Sequence, residues 1–240
     1  MVLPIWFLIV ALLTEVMAAV VGFGSSTILT PLATFVFDIK TALAVVAIFH
    51  IIGALVRLYQ FRPAIDRTFM IRFGLPAVVA TLFGALLVRA IPSESLAVLL
   101  GIFLLLLVFF EWTHPRFHIA RSDGNETIGG ILTGFFGGLL GAGGAIRSAS
   151  LQAFGMKKEE YIGTSALLAV LVDATRIPVY LASGYLSNVS MSTILLLVPL
   201  AVIGTLVGLR VVDHLSQRVF RLIVLAAIFL AALKLISNGI

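Results

Sequence analysis

TIGGILTGFFGGLLGAGGAIRSASLQAFGM, residues 127–156, carries one charged side chain, Arg147, and is interrupted by the run Gly141-Ala142-Gly143-Gly144. A helix rising ~1.5 Å per residue needs ~20 apolar residues to cross ~30 Å of hydrocarbon, so the stretch is too long for one crossing and too short for two. Glycines in a helix cost ~1 kcal/mol each relative to Ala and allow turns that other residues resist. The stretch therefore predicts a helix, a tight turn at membrane depth and a returning half-helix. Residues 5–37 repeat this make-up around Gly22-Phe23-Gly24-Ser25.

The rest of the chain agrees with a membrane setting. Of its 240 residues, 61% are hydrophobic and 11% charged, and the mean hydropathy is +1.18, too apolar to close around one water-facing core. Lipid offers the backbone no hydrogen-bond partners, so the choice is helices or a closed barrel. No period-two alternation supports a barrel, and the fold class is all-α integral membrane. The net charge of +5 comes from basic residues dispersed between spans, which reads as topology marking and argues against a nucleic-acid partner. The absence of cysteine excludes disulfides, thiolate metal sites and a cysteine nucleophile. No Lys or Arg precedes the apolar run of residues 1–22, so that run is taken as the first span rather than a cleaved signal.

Sliding the chain on itself by 119 residues superposes Gly22 on Gly141, Gly24 on Gly143, Leu32 on Leu151, Phe35 on Phe154, Ala47 on Ala166 and Arg57 on Arg176. A slightly larger offset places Thr81 and Gly84 on Thr205 and Gly208. This predicts two repeats, residues 1–113 and 127–240, joined by a loop at 114–126 and totalling about eight hydrophobic segments. Each repeat is expected to hold a broken or re-entrant helix pair followed by three transmembrane helices. If the glycine segments turn back, Arg62, Arg67, Arg72, Arg116, Arg121, Lys157, Lys158, Arg210, Arg218 and Arg221 share one face, against Lys40, Arg89, Arg147 and Lys234 on the other. The positive-inside tendency then makes the repeats inverted, with both termini extracytoplasmic.

Irregular backbone at membrane depth is tolerated only where protein or a watery cavity meets it, so both turns point at a central site. The returning helices are expected to begin near Ser25 to Thr27 and near Ala145 to Arg147. A helix start carries about +0.5 elementary charge and free N–H donors, which suits an anion. Gly22, Gly24, Ser25, Ser26, Thr27, Gly141, Gly143, Gly144, Arg147 and Ser148 are the candidate contacts, with Arg147 preferred; the competing role for the glycines is close helix packing. Arg57 and Arg176 lie near the ends of their spans, where a guanidinium either grips an anion or snorkels to the interface. Asp173, three residues before Arg176, suits an ion pair on one helix face. Glu15, His50 and Asp173 are the candidates for proton or ion coupling. His114 and His118 flank Pro115 and read as loop residues, so no metal site is expected.

Gly22-Phe23-Gly24-Ser25-Ser26 with Pro31, and Gly137-Gly138-Leu139-Leu140-Gly141-Ala142-Gly143-Gly144 followed by Gly163-Thr164-Ser165, resemble the paired glycine motifs of the TauE/SafE family of sulfite and organosulfonate permeases. The resemblance implies a secondary transporter in the cytoplasmic (inner) membrane that moves a small sulfur-containing anion such as sulfite, sulfoacetate or another sulfonate. It adds Thr164 and Ser165 to the candidates; the first half has Val45 and Val46 in their place, so the implied site is asymmetric. No cofactor is expected. A coupling ion, proton or sodium, and a homodimer are compatible with this reading. The rival readings are a membrane-embedded hydrolase built on Ser25 and His50, and an anion channel. No phosphate-binding loop of the Gly-x-x-x-x-Gly-Lys-Ser/Thr kind is present, so ATP-driven transport would need another chain; no second-half base or oxyanion motif supports the hydrolase, and an enzyme is not expected.

Overall fold

Caps and glycines punctuate the helices. The computed structural model describes residues 3–21, 25–114, 118–211 and 217–239; Gly22, Gly24 and Arg116, singled out above, lie outside the described residues. Ten helices form there: α1 Ile5–Val21, α2 Ser25–Ala33, α3 Ile39–Phe61, α4 Arg67–Leu87, α5 Ser93–Thr113, α6 Asp123–Leu140, α7 Gly143–Ala153, α8 Lys158–Ala182, α9 Met191–Val211 and α10 Gln217–Gly239. Asp38 caps α3 by accepting from the Lys40 and Thr41 amides, and Ser122 caps α6 by accepting from the Asn125 amide. The first turn of α6, Asp123–Glu126, thus falls in the stretch expected to be loop. Five helices are long and apolar enough to cross a membrane; α1 and the part of α10 from Ile228 to Ser237 are shorter apolar helices.

Both glycine segments are hairpins. Gly141 ends α6 in the left-handed region (φ 70°) with its amide donating to the Gly137 carbonyl, a conformation glycine adopts without a Cβ penalty. α7 then runs back along α6: the Ile119 amide, just ahead of α6, donates to the carbonyl of Ala153, the last residue of α7. Across the first hairpin, Trp6 meets Phe35 and Phe7 meets Phe37 edge to face, with centroids 6.5 and 6.0 Å apart. The start of α1 therefore sits beside the chain that leaves α2.

Contacts at the helix ends define two faces. Arg121 pairs with Asp66 and Glu126 and Arg72 with Asp123, which gathers the α3–α4 turn, the start of α6 and, through Ala153, the α7–α8 turn. Lys40 lies over the Tyr185 ring and Lys234 over the Phe35 ring, gathering the opposite ends. The first hairpin opens from one face and the second from the other, so the halves are inverted. Arg62, Arg67, Arg72, Arg121, Lys157 and Lys158 share the basic face. The side chains of Arg218 and Arg221 lie outside the described residues. Arg147 belongs to neither face, because it is only 3% exposed; this corrects its assignment to the side opposite the basic cluster.

Exchanging the halves preserves the main packing. α1 lies against α9 as α6 lies against α4, and α3 crosses α8 while α2 meets α7. The correspondence reaches single residues. A Cβ on Gly84 would meet the Phe135 carbonyl at 2.3 Å, and one on Gly208 the Val16 carbonyl at 2.4 Å, with Val16 and Phe135 themselves 119 apart. Along α6, Gly130, Gly134 and Gly138 each put their Cα against an α4 carbonyl, of Phe73, Ala77 and Thr81, where a Cβ would come within 2.0–2.2 Å. Small residues let helix backbones approach in this way.

Gly134→Val forces α4 and α6 apart and should cost at least ~2 kcal/mol, seen as a lower thermal midpoint in detergent. Gly124→Val, where nothing lies within 4 Å, should be neutral. At the basic face, burial raises the Asp66 carboxyl, but the Phe69 amide and Arg121 outweigh it and hold the group below its ordinary range. A lowered folded pKa gives stability that is present above the unfolded value of about 3.9 and lost as pH falls through the folded one. The gap in thermal midpoint between wild type and Asp66→Asn should accordingly be full at pH 6 and close toward pH 3.

Candidate functional site

The starts of α2 and α7 meet in the interior. α2 begins at Ser25, as expected, and α7 at Gly143, two residues ahead of the expected start. A methyl placed on Gly144 would lie 3.5 Å from Thr27 Oγ1, 3.6 Å from Ser26 Oγ and 3.6 Å from Arg147 Nη2. One placed on Gly141 would lie 3.1 Å from Thr30 Oγ1 and 3.2 Å from Arg176 Nη1. Two helix starts, several hydroxyls and two guanidinium groups thus surround one small region. Among the described residues the buried hydroxyls of Ser25, Thr27 and Thr30 have no hydrogen-bond partner, an arrangement that costs about 1–3 kcal/mol per group unless something else satisfies it. On the α7 side, Ser148 is already engaged, sharing a 2.6 Å hydrogen bond with the Tyr161 hydroxyl and accepting from Gln152 Nε2.

Three arginines are buried around this region and they differ in their partners. Arg57, 4% exposed, donates from Nη1 to Glu15 Oε1 at 2.5 Å, and that oxygen also accepts from Thr205 Oγ1 at 3.0 Å. Arg176, 2% exposed, donates from Nε to Asp173 Oδ1 at 2.8 Å and from Nη1 to the Gly137 carbonyl at 2.8 Å. Neither snorkels; both are held inside by carboxylates. Arg147 donates from Nε to Ser165 Oγ at 3.0 Å, and among the described residues no carboxylate pairs with it. Its charge is therefore met only by hydroxyls and by the more distant field of Asp173.

His50 shares a 2.6 Å hydrogen bond from Nδ1 with Asp173 Oδ2, joining α3 to the α8 ion pair. With His50 neutral, Arg57, Arg147 and Arg176 set against Glu15 and Asp173 leave one positive charge inside the bundle. An isolated buried charge is strongly unfavourable, and an anion beside Gly144 and Arg147 would cancel it.

Several residues have other surroundings. Thr164 Oγ1 accepts from the Asp66 amide toward the basic face, away from Gly144. Gly143 is packed against the Thr133 carbonyl, and Gly138 against that of Thr81, so these two glycines serve helix packing. The Ser25 hydroxyl makes no hydrogen bond to His50 or to any other base among the described residues. Gly22 and Gly24 lie outside the described residues. A surface hollow of about 410 Å³ lined by Pro63, Asp66, Lys157 and Glu160 sits at the basic face, where the Asp66 amide donates to Thr164.

Thr30 and Thr205 went unread as site neighbours. Thr30 follows Thr27 by three and Ser26 by four, the spacing of one helix face, which is a signal for it. Thr205 stands opposite Thr81 in the repeat, yet nothing local marks it as a partner of Glu15.

A family model described as "Sulfite exporter TauE/SafE" matches residues 7–235. A protein of Methanocaldococcus jannaschii described as a probable membrane transporter is 28% identical over 153 residues, 58% of this chain. The match spans 57% of that relative's length. No solved structure matches the chain.

Arg57→Ala should lower stability by ~3–5 kcal/mol, because it strands Glu15 without a counter-charge. Arg147→Ala should cost ~1 kcal/mol or less, since it releases only a serine hydroxyl. Thermal midpoints of the two purified variants check the contrast; equal losses would place Arg147 among the structural arginines.

Proposed function

We propose that this chain, which belongs to the sulfite exporter TauE/SafE family, is a secondary transporter that moves a small sulfur-containing anion, sulfite or an organosulfonate, by alternating access. The observation that carries this reading is Arg147: a buried guanidinium bonded to the Ser165 hydroxyl at the meeting of two helix starts, with no carboxylate paired to it among the described residues. A sulfite or sulfonate group offers three oxygens, enough to accept from the guanidinium fork and from the hydroxyls and amides around Gly144. The excess of one positive charge suits a singly charged passenger. Helix starts from oppositely oriented hairpins are the arrangement by which transporters hold anionic groups near the bilayer midplane.

The burial of Ser25, Ser26, Thr27 and Arg147 is compatible with a closed intermediate of such a cycle, in which the passenger site is shut from both faces. That favours a carrier over a channel, which needs a continuous path. Placing the basic face in the cytoplasm by the positive-inside tendency puts both termini outside the cell. The cytoplasmic membrane follows as the location.

Sulfite, thiosulfate, methanesulfonate and acetate added to purified protein test the substrate class. The sulfur anions should raise the thermal midpoint, since a ligand at ~100 times its Kd adds ~2.7 kcal/mol of stability, and acetate should not. In proteoliposomes, Arg147→Ala should reduce uptake at least ~10-fold at unchanged folded yield, and Arg147→Lys should keep the charge but lose the fork, falling between. Parallel loss of uptake and folded yield would remove Arg147 from the site.

A further inference from the structure

We propose that His50 is a proton-binding site linked to the anion site, so that each anion is carried together with one proton; this rests on the transport reading above. Glu15, Asp173 and His50 are the buried carboxyl and imidazole candidates, and each carboxylate already holds an arginine, although Glu15 Oε2 has no hydrogen-bond partner among the described residues. Glu15 Oε1 is taken by Arg57 and Thr205, and Asp173 Oδ1 accepts from Nε of Arg176, whose Nη2 also lies 2.7 Å away. His50 uses Nδ1 toward Asp173 Oδ2, and among the described residues its Nε2 makes no hydrogen bond. The ring can therefore keep its Nδ1 proton against Asp173 and accept a second proton at Nε2, drawn from water on one face and released on the other.

The groups around His50 decide the sign of the linkage. From α8 it faces Asp173 and, behind it, Arg176. α2 offers only the hydroxyls of Ser25, Ser26, Thr27 and Thr30. Glu15 of α1 is held by Arg57, two turns further along the same face of α3. The central parts of α4, α5 and α9 carry no acidic, basic or histidine side chain. α7 contributes Arg147, whose field reaches Asp173.

With the anion site empty, a second proton on His50 raises the buried excess from one positive charge to two, which is unfavourable in a low-dielectric interior. With a monovalent anion beside Arg147, the same proton raises the excess only from zero to one. Anion binding thus favours protonation, and by reciprocity protonation favours anion binding by the same factor. Asp173 joins the two events, since it bonds the ring and also acts on Arg147.

Methanesulfonate is a suitable probe because it stays monovalent throughout the accessible pH range. In detergent its affinity for the wild-type protein should weaken with rising pH, by up to about tenfold per pH unit for one linked proton. A flat affinity between pH 5.5 and 8.5 overturns the proposal. In proteoliposomes containing a trapped carboxylate pH dye, methanesulfonate uptake should acidify the lumen and be driven by an inward acid gradient. His50→Gln, which keeps an N–H donor for Asp173 but cannot take a proton, should retain folded yield and bind methanesulfonate with no pH dependence. It should also lose the lumen acidification. Uptake by wild type without acidification, or acidification by His50→Gln equal to wild type, overturns proton coupling while leaving transport intact. Failure of wild type to take up either methanesulfonate or sulfite overturns the transport reading and this one with it.

Discussion

A guanidinium inside a membrane protein must be answered by negative charge. Two of the three buried arginines have their answer within the chain, Arg57 in Glu15 and Arg176 in Asp173, and these pairs tie α1 to α3 and stiffen α8. Arg147 has a serine hydroxyl, and the imbalance it leaves organises the centre. Each of the three positions is costly alone. A chain that keeps an unmatched cation at the tip of a glycine-broken hairpin has accepted a cost that a bound anion can offset. The start of α7 brings the backbone N–H groups that a helix leaves without an intrahelical carbonyl, so charge and hydrogen-bond donors converge on one volume.

Much of this architecture was legible in the residue pattern because its causes are local. A mostly apolar run of thirty residues with one charge and glycines in the middle has few ways to sit in a bilayer, and Gly141 takes the left-handed conformation that such a turn requires. The repeat could be read because duplicated helices keep duplicated contacts. The alignment of Gly84 with Gly208 has a physical counterpart in their equivalent approach to Phe135 and Val16. The Asp173–Arg176 pair was readable from its three-residue spacing on one helix.

What could not be read depends on residues far apart in the chain. Arg57 and Glu15 are separated by 42 positions, His50 and Asp173 by 123, and no helical periodicity announces such partners. End-of-span position left both arginines open to gripping an anion or to snorkelling, whereas carboxylates from within the bundle hold them inside. The glycines divide in a way that composition cannot reveal: Gly138 and Gly143 are spaces for neighbouring backbone, while Gly144 opens toward hydroxyls and a guanidinium. Thr164 sits one residue from Ser165, yet it serves a backbone amide at the basic face, because adjacent helical residues point about 100° apart.

The glycine-lined contacts also bear on how such a molecule deforms. α1 is pressed against α9, and α6 against α4, with backbone touching backbone; such joints have no side chains between them to slide or re-pack. Each hairpin is thereby riveted to a helix encoded in the opposite half of the chain. Any large displacement that leaves those joints whole has to carry α1 with α9 and α6 with α4. The hinge lines of the molecule then run across the duplication rather than along it, and the two mechanical bodies are each woven from both halves.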